Sequence, residues 1–166
     1  METFPFAVYS GYVSIPGTNK ENHYLLVESQ NDWATDPLII WFNGGPGCSS
    51  MLGWATENGP WSMPAGGTSF EKNPHSWNKM ANVLYIEQPA GVGYSYCDPA
   101  HKEQCVFDDD SSAADNMAFL HGWYEKFPDY KNHSLYISGE SYAGLYVPLL
   151  SLQIHNFNQN QTDNST

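Results

Sequence analysis

SLYISGESYAG, residues 134–144, has the pattern of a strand that runs through a tight turn into a helix. A short run rich in strand formers ends at Gly139, and apolar residues then recur at helical spacing over residues 142–152. Ser141 lies at the bend. Such a turn strains the serine backbone, so the residues two positions to either side must be very small, as Gly139 and Ala143 are. The stretch therefore predicts a nucleophile turn with its serine at the edge of a sheet.

The predicted turn would also place hydrogen-bond donors beside the serine. The amide of Tyr142 and the positive end of the following helix would both lie next to the Ser141 hydroxyl and could stabilise a developing oxyanion. A simpler interpretation is an ordinary strand, turn and helix with an exposed serine. The Gly-x-Ser-x-Ala pattern alone does not separate the two.

A second glycine-rich segment follows another apolar run. LIIWF (residues 38–42) is typical of a buried strand, and it ends in NGGPGCSS (residues 43–50). Glycine after a strand frees backbone amides to point into a cleft. Amides from such a loop are the usual second half of an oxyanion hole, which favours the catalytic interpretation of Ser141.

Four motifs in this order resemble the serine carboxypeptidase family, the group of carboxypeptidase Y and cathepsin A. They are NGGPGCSS (residues 43–50), ENGP (57–60), EQPAGVGYSY (87–96) and GESYAG (139–144). The resemblance implies an α/β-hydrolase fold, of which the chain carries the N-terminal part of the central mixed sheet with flanking helices. It also implies a serine-type carboxypeptidase that releases C-terminal residues from peptides through an acyl-enzyme at acidic pH, with no cofactor.

The patterns along the chain agree with a mostly parallel sheet covered by helices. We predict a crossover helix from about residue 112 to 127, a long ordered loop over 52–82, and strands over residues 8–15, 23–29, 38–42 and 83–87. The three aspartates at 108–110 precede the helix, where negative charge is favourable, so we interpret them as helix-start residues rather than metal ligands.

The end of the chain differs in composition from the rest. Residues 156–166 are polar and rich in asparagine, so we expect them to fray, as a tail or as the start of a missing insertion. The resemblance implies that residues 1–155 form the N-terminal part of one serine carboxypeptidase α/β-hydrolase domain.

The resemblance assigns the catalytic roles, but it leaves one gap. Ser141 is the nucleophile, and the amides of Gly45 and Tyr142 form the oxyanion hole. The family order is Ser, Asp, His, whereas only His155 and Asp163 follow Ser141, in the opposite order. On a helix, His155 would lie about 21 Å from the serine, which is too far for a base.

The resemblance also supplies a site for the C-terminal carboxylate of a peptide. Glu140 is implied to face Glu57, with Asn43 as the third member, the Gly44 amide as a further donor and Trp41 as support. Two adjacent carboxyls cannot both ionise cheaply, so one keeps its proton in mild acid and donates to the substrate carboxylate. The alternative for either glutamate taken alone is a surface charge or a helix-start charge.

Three interpretations of the whole chain follow. The first is a fragment of a carboxypeptidase that lacks the triad Asp and His, is inactive alone and needs the missing C-terminal part of the same chain. The second is a truncated, non-catalytic homologue. The third is an acyltransferase of the same family. It is less favoured because that branch commonly replaces the Asn and Glu of the carboxylate-binding site, which we call the clamp, whereas this chain keeps them as Asn43 and Glu140.

Composition limits the partners. The chain has 18 acidic and 6 basic residues, a formal charge of −12, which argues against nucleic acid or an anionic membrane as a partner. No run of 18 apolar residues predicts a membrane span. No Cys-x-x-Cys or paired His spacing predicts a metal site, and we expect none.

Cysteines and glycosylation motifs indicate the secretory pathway. Cys97 and Cys105 bracket a short polar loop and could form a local disulfide, which leaves Cys48 over. In the family that the chain resembles, the cysteine after Gly-Pro-Gly, here Cys48, pairs with a cysteine far downstream. The acceptor pattern for N-glycosylation occurs at Asn132, Asn160 and Asn164. Together these features favour a secreted, lysosomal or vacuolar protein.

Overall fold

A mixed β-sheet runs through the centre of the molecule. The computed structural model describes residues 5–64 and 66–163. The strands are β1 (Val8–Ser14), β2 (Lys20–Val27), β3 (Leu38–Phe42), β4 (Trp61–Ser62), β5 (Glu71–Lys72), β6 (Asn82–Ile86), β7 (Tyr96–Cys97) and β8 (Leu135–Gly139). The helices are α1 (Met51–Thr56), α2 (Asp109–Lys126) and α3 (Ala143–Asp163), with short 3-10 turns at Trp77–Lys79, Pro99–Gln104 and Pro128–Asn132.

The strand order places the segment that follows β3 beside the segment that follows β8. The order is β1-β2-β6-β3-β8, with β7 paired to β2, while β4 and β5 form a separate hairpin. β1 and β2 are antiparallel, as are β2 and β6, whereas β3 is parallel to both β6 and β8. Because Phe42 pairs with Gly139 at the end of the β3–β8 ladder, the segments that follow both strands leave the same edge.

Alternate residues of the central strands build two cores. In β3, Ile40 and Phe42 pack with Trp123 of α2 and Leu150 of α3 in the larger cluster. Trp41 lies on the other face, in a smaller cluster that α1 partly covers. This period of two is what a strand buried on both faces requires.

Several predicted boundaries need correction. The helix expected from residue 112 begins at Asp109, because Asp108 caps it: the Asp108 carboxylate accepts from the Ser111 amide at 2.8 Å, and the Ser111 hydroxyl accepts from the Asp108 amide at 3.0 Å. The strand expected from residue 23 begins at Lys20, whose buried ammonium pairs with Asp115 at 2.6 Å.

Two segments were predicted without regular structure but have some. Residues 52–82 contain most of helix α1, the β4–β5 hairpin and a 3-10 turn. Residues 156–163, expected to fray, continue helix α3 to Asp163, and the Phe157 ring packs on His121 with the ring centres 4.7 Å apart. Residues 164–166, including the predicted glycosylation residue Asn164, lie outside the described residues.

Candidate active site

Ser141 occupies the bend between β8 and α3. It has φ +57°, the left-handed region that an L residue rarely adopts, and it is exposed. The turn tolerates only small neighbours, since a Cβ at Gly139 would lie 2.5 Å from the Ala143 Cβ and from the Phe42 carbonyl oxygen. Strain and steric crowding therefore hold the serine hydroxyl outside the sheet edge, at the start of α3.

Residues 43–50, which we call the glycine loop, lie directly against this bend. The Glu140 amide donates to the Phe42 carbonyl at 3.1 Å, which ties the two segments together. Gly44 approaches the Tyr142 amide so closely that a Cβ there would overlap it. Gly45 follows with φ +108°. The two predicted oxyanion donors, the amides of Gly45 and Tyr142, thus belong to neighbouring segments at the same edge.

Asn43 joins the two predicted clamp carboxylates. Its Nδ2 donates to Glu57 Oε1 at 3.0 Å and to Glu140 Oε1 at 3.3 Å. The Gly44 amide donates to the same Glu140 oxygen at 3.4 Å. Glu57 is exposed, Glu140 is half-buried and Asn43 is only 3% exposed, so the group forms an acidic rim over a buried amide.

The Asn43 side chain is itself fixed from the other side. Its Oδ1 accepts from the Trp41 indole Nε1 and from the Gly53 amide, each at 2.9 Å. Its backbone amide donates to the Ser50 hydroxyl at 3.1 Å. Because Oδ1 is bound by these two donors, the side-chain amide of Asn43 must turn its Nδ2 towards the two glutamates, so its orientation is fixed. Trp41 thus lies where the supporting role was predicted.

Two contacts around the site were not predicted from the sequence. The Tyr142 hydroxyl donates to both carboxylate oxygens of Asp109 at 3.1 Å, and this hydrogen bond raises the pKa of Tyr142. Ser49, in the glycine loop, donates to the buried Glu87 carboxylate. Asp109 is one of the three aspartates at the start of α2, and Ser49 and Glu87 belong to two of the four motifs, but no sequence pattern predicted these contacts.

The structure brings no histidine of the described residues to Ser141. His155 is exposed on α3, well beyond the first turn of that helix. The described ring contacts of the other histidines are made elsewhere: His23 with Glu87 and Ser10, His101 with Asp98, His121 with Phe157, and His133 with the Asp36 carbonyl and Tyr130. Of the predicted catalytic groups, the described residues therefore bring together the predicted nucleophile, the predicted oxyanion donors and the predicted carboxylate-binding residues.

The remaining predicted residues, apart from Cys48, lie outside the segments that form this site. Cys97 and Cys105 form a disulfide with the Cα atoms 5.9 Å apart, and Cys48, in the glycine loop, is a half-buried free thiol. Asn132 and Asn160 are both exposed. Within residues 5–64 and 66–163 no three His, Cys, Asp or Glu side chains cluster as a metal site would require. None of the helices in that part of the chain is long and apolar enough to cross a membrane.

A strained serine between a strand and a helix, beside an amide-rich loop, defines the class of α/β-hydrolases. The chain belongs to the serine carboxypeptidase family, which matches it over residues 1–166. The family resemblance and the fold predicted from the motifs are therefore confirmed.

Individual relatives agree with this assignment. Mouse lysosomal protective protein is 46% identical over 149 residues, 90% of this chain and 31% of that protein. Serine carboxypeptidase ctsa-3.1 of Caenorhabditis elegans is 48% identical over 149 residues, 88% of this chain and 26% of that protein. Serine carboxypeptidase-like 20 of Arabidopsis thaliana is 42% identical over 164 residues, 95% of this chain and 33% of that protein.

A solved structure matches in the same way. Kex1(delta)p, a prohormone-processing carboxypeptidase from Saccharomyces cerevisiae, superposes with a TM-score of 0.81 at 32% identity, over 92% of this chain and 34% of that one. The chain thus spans about a third of the length of the relatives it matches.

Proposed function

We propose that this chain supplies the nucleophile and the substrate-carboxylate clamp of a serine-type carboxypeptidase, which releases C-terminal residues from peptides through an acyl-enzyme at acidic pH. One observation carries the proposal: Asn43 binds Glu57 and Glu140 at once, and Glu140 is the residue next to Ser141. A carboxylate-binding group one residue from the nucleophile is what an exopeptidase needs and an endopeptidase does not.

The proposed reaction assigns a role to each part of the site. The Ser141 hydroxyl attacks the last peptide carbonyl, and the amides of Gly45 and Tyr142 stabilise the oxyanion. The terminal amino acid leaves as the amine, and water then hydrolyses the ester on Ser141. The base that takes the serine proton and the acid that orients it come from outside these 166 residues, so we expect the 166-residue chain alone to show no turnover.

The clamp explains the proposed pH preference. A protonated carboxyl in this group would donate to the substrate carboxylate together with Asn43 and the Gly44 amide. Two ionised carboxylates would instead repel a free C-terminus. Peptide acids should therefore be hydrolysed best in acid, while peptide amides should be less sensitive to pH.

Stepwise release of residues tests the proposal. The intact protein should shorten a peptide one residue at a time from its C-terminus, as mass spectrometry of timed digests would reveal. Ser141→Ala should abolish release, whereas Ser151→Ala, a change of an exposed serine further along α3, should not. Cleavage at internal bonds would refute the exopeptidase assignment, and activity that survives Ser141→Ala would refute the nucleophile.

The same proposal places the protein in the secretory pathway, with an acidic compartment or the exterior as its destination. The Cys97–Cys105 disulfide supports this, because disulfides persist in oxidising compartments. Exposed Asn132 is accessible for N-glycosylation. A loss of mass on treatment of the secreted protein with a glycosidase would support this location, and an unglycosylated protein confined to the cytosol would contradict it.

A further inference from the structure

Glu87 is a buried carboxylate outside the predicted catalytic groups, and its described contacts are with other residues of the protein. It follows β6 and is 0% exposed. One oxygen accepts from the Tyr94 amide at 2.8 Å and lies 2.9 Å from His23 Nδ1, and the other accepts from the Ser49 hydroxyl. Burial of a charge costs several kcal/mol unless hydrogen bonds and an opposite charge compensate it, so these partners are essential to the carboxylate.

One of the partners belongs to the glycine loop. Ser49 is four residues from Gly45, the predicted oxyanion donor, and its hydroxyl also accepts from the Met51 amide at 3.2 Å. The next residue, Ser50, binds the Ile86 carbonyl at 2.6 Å and the Asn43 amide at 3.1 Å. The end of the loop is therefore attached to the sheet by two hydroxyls, and the first of them depends on Glu87.

His23 fixes the carboxylate from the other side. The imidazole is buried on β2, with its Nε2 2.8 Å from the Ser10 hydroxyl on β1. It lies between the rings of Tyr12 and Tyr94, each with its centre 5.3 Å away. The titratable groups that face the imidazole are therefore Glu87, Tyr12 and Tyr94. Because both ring nitrogens are engaged, the imidazole can orient the carboxylate towards Ser49.

We propose that Glu87 is a positioning residue for the glycine loop and that His23 holds it in place. Through Ser49, this buried pair would fix the orientation of the Gly45 amide relative to Ser141. The inference rests on the proposed function for its catalytic consequence, but the effect on the loop is a property of the fold. Glu87 itself touches neither the substrate nor Ser141 and is not a catalytic residue.

Hydrogen exchange in the intact protein measures the effect on the loop directly. Ser49→Ala and Glu87→Gln should each accelerate amide exchange in a peptide covering residues 43–51 by about ten- to a hundredfold, the effect of one lost hydrogen bond to a charged group. Glu28→Gln is the matched control. Glu28 is also a buried glutamate, bound by Tyr130 and the Ala7 amide at 3.3 and 3.4 Å, away from the loop. It should leave exchange in residues 43–51 unchanged.

A kinetic readout tests the catalytic consequence. If the Gly45 amide is misplaced, kcat for a peptide acid should fall by about ten- to a hundredfold in Ser49→Ala, with KM nearly unchanged because the clamp residues are intact. A fall in kcat together with a rise in KM would instead indicate general damage to the site and would overturn the positioning role. Should Glu87→Gln fail to fold, Ser49→Ala still decides the question, because it removes only one hydroxyl.

The outcomes separate this inference from the proposed function. If the protein releases no C-terminal residues, the proposed function fails, yet accelerated exchange confined to residues 43–51 would still support the role of Glu87 in the loop. If exchange there is the same in wild type, Ser49→Ala and Glu28→Gln, the positioning role is wrong whatever the activity is.

Discussion

Replacing Asn43 by aspartate tests the clamp with a change of a single group. Aspartate keeps an oxygen where Asn43 Oδ1 accepts from Trp41 and the Gly53 amide at 2.9 Å. It replaces the Nδ2 donor, 3.0 Å from Glu57 and 3.3 Å from Glu140, by a second oxygen that faces two carboxylates. The shape of the buried side chain is unchanged, and only its two interactions with the glutamates change from attraction to repulsion.

The expected magnitude follows from these contacts. A hydrogen bond to a charged group contributes about 1.5–3 kcal/mol, and the bond to half-buried Glu140 should contribute most of this, since exposed Glu57 is screened by water. Repulsion between the new carboxylate and Glu140 adds to the loss at neutral pH. We expect Asn43→Asp to lower the free energy of unfolding by about 2–4 kcal/mol near pH 7 and by clearly less near pH 4.5, where a protonated carboxyl restores a donor.

Urea denaturation of the intact protein at both pH values measures this difference. The matched variant is Asn43→Ala, which removes the whole amide and leaves the Trp41 indole and the Gly53 amide without their acceptor. Its loss of stability should be similar at the two pH values, because no charge is introduced. If Asn43→Asp loses the same free energy as Asn43→Ala at both pH values, then Glu57 and Glu140 do not face Asn43 and the clamp is wrongly assigned.

Two further predictions concern the disulfide and the buried glutamate. Replacing both Cys97 and Cys105 by serine opens a loop with a sequence separation of 8 residues and should lower the free energy of unfolding by about 2.5 kcal/mol, as chemical denaturation would measure; an unchanged value would refute the stabilising role. Burial alone would raise the pKa of Glu87, but hydrogen bonds from His23, Ser49 and the Tyr94 amide lower it below its ordinary value of 4.5. Because the pKa of Glu87 is lower in the folded protein than in the unfolded chain, ionised Glu87 stabilises the fold at pH values above 4.5. This stabilisation is lost as the pH falls from there through the folded-state pKa. Wild type should therefore lose stability more steeply in acid than Glu87→Gln, and parallel pH profiles would contradict this.

The local pattern of the chain was sufficient to predict the turn at Ser141. A strand run, two small residues and a helical run are adjacent in sequence, and they impose the same turn in the structure. The clamp was not predictable from periodicity. Asn43 lies 14 residues from Glu57 and 97 from Glu140, so only the family resemblance placed the three together.

The contacts that sequence reasoning missed are long-range and polar. His23 and Glu87 are 64 residues apart, and each occurs at a strand or strand end where a polar residue usually faces water. Their burial depends on how β2 and β6 pair, which no local pattern reports. The helical residues 156–163 were missed for a related reason: their composition predicts fraying, but Phe157 packs on His121 of α2 and ties the polar end of α3 to the domain.

On the proposed mechanism, the parallel pairing of β3 with β8 links recognition of the substrate to its chemistry. The side chain of Asn43 binds both glutamates of the clamp, while the amide of the next residue, Gly44, donates to Glu140 beside the nucleophile bend. On the proposed mechanism, a peptide whose terminal carboxylate occupies the clamp therefore has its last peptide bond at Ser141. A peptide substrate that continues beyond that bond would have to pass Glu57 and Glu140, and it would present no terminal carboxylate to bind there. If one loop carries both functions, a displacement of the whole loop would impair binding of the C-terminus and stabilisation of the oxyanion together, whereas a change confined to Ser49 would alter the Gly45 amide and leave the Asn43 side chain in place.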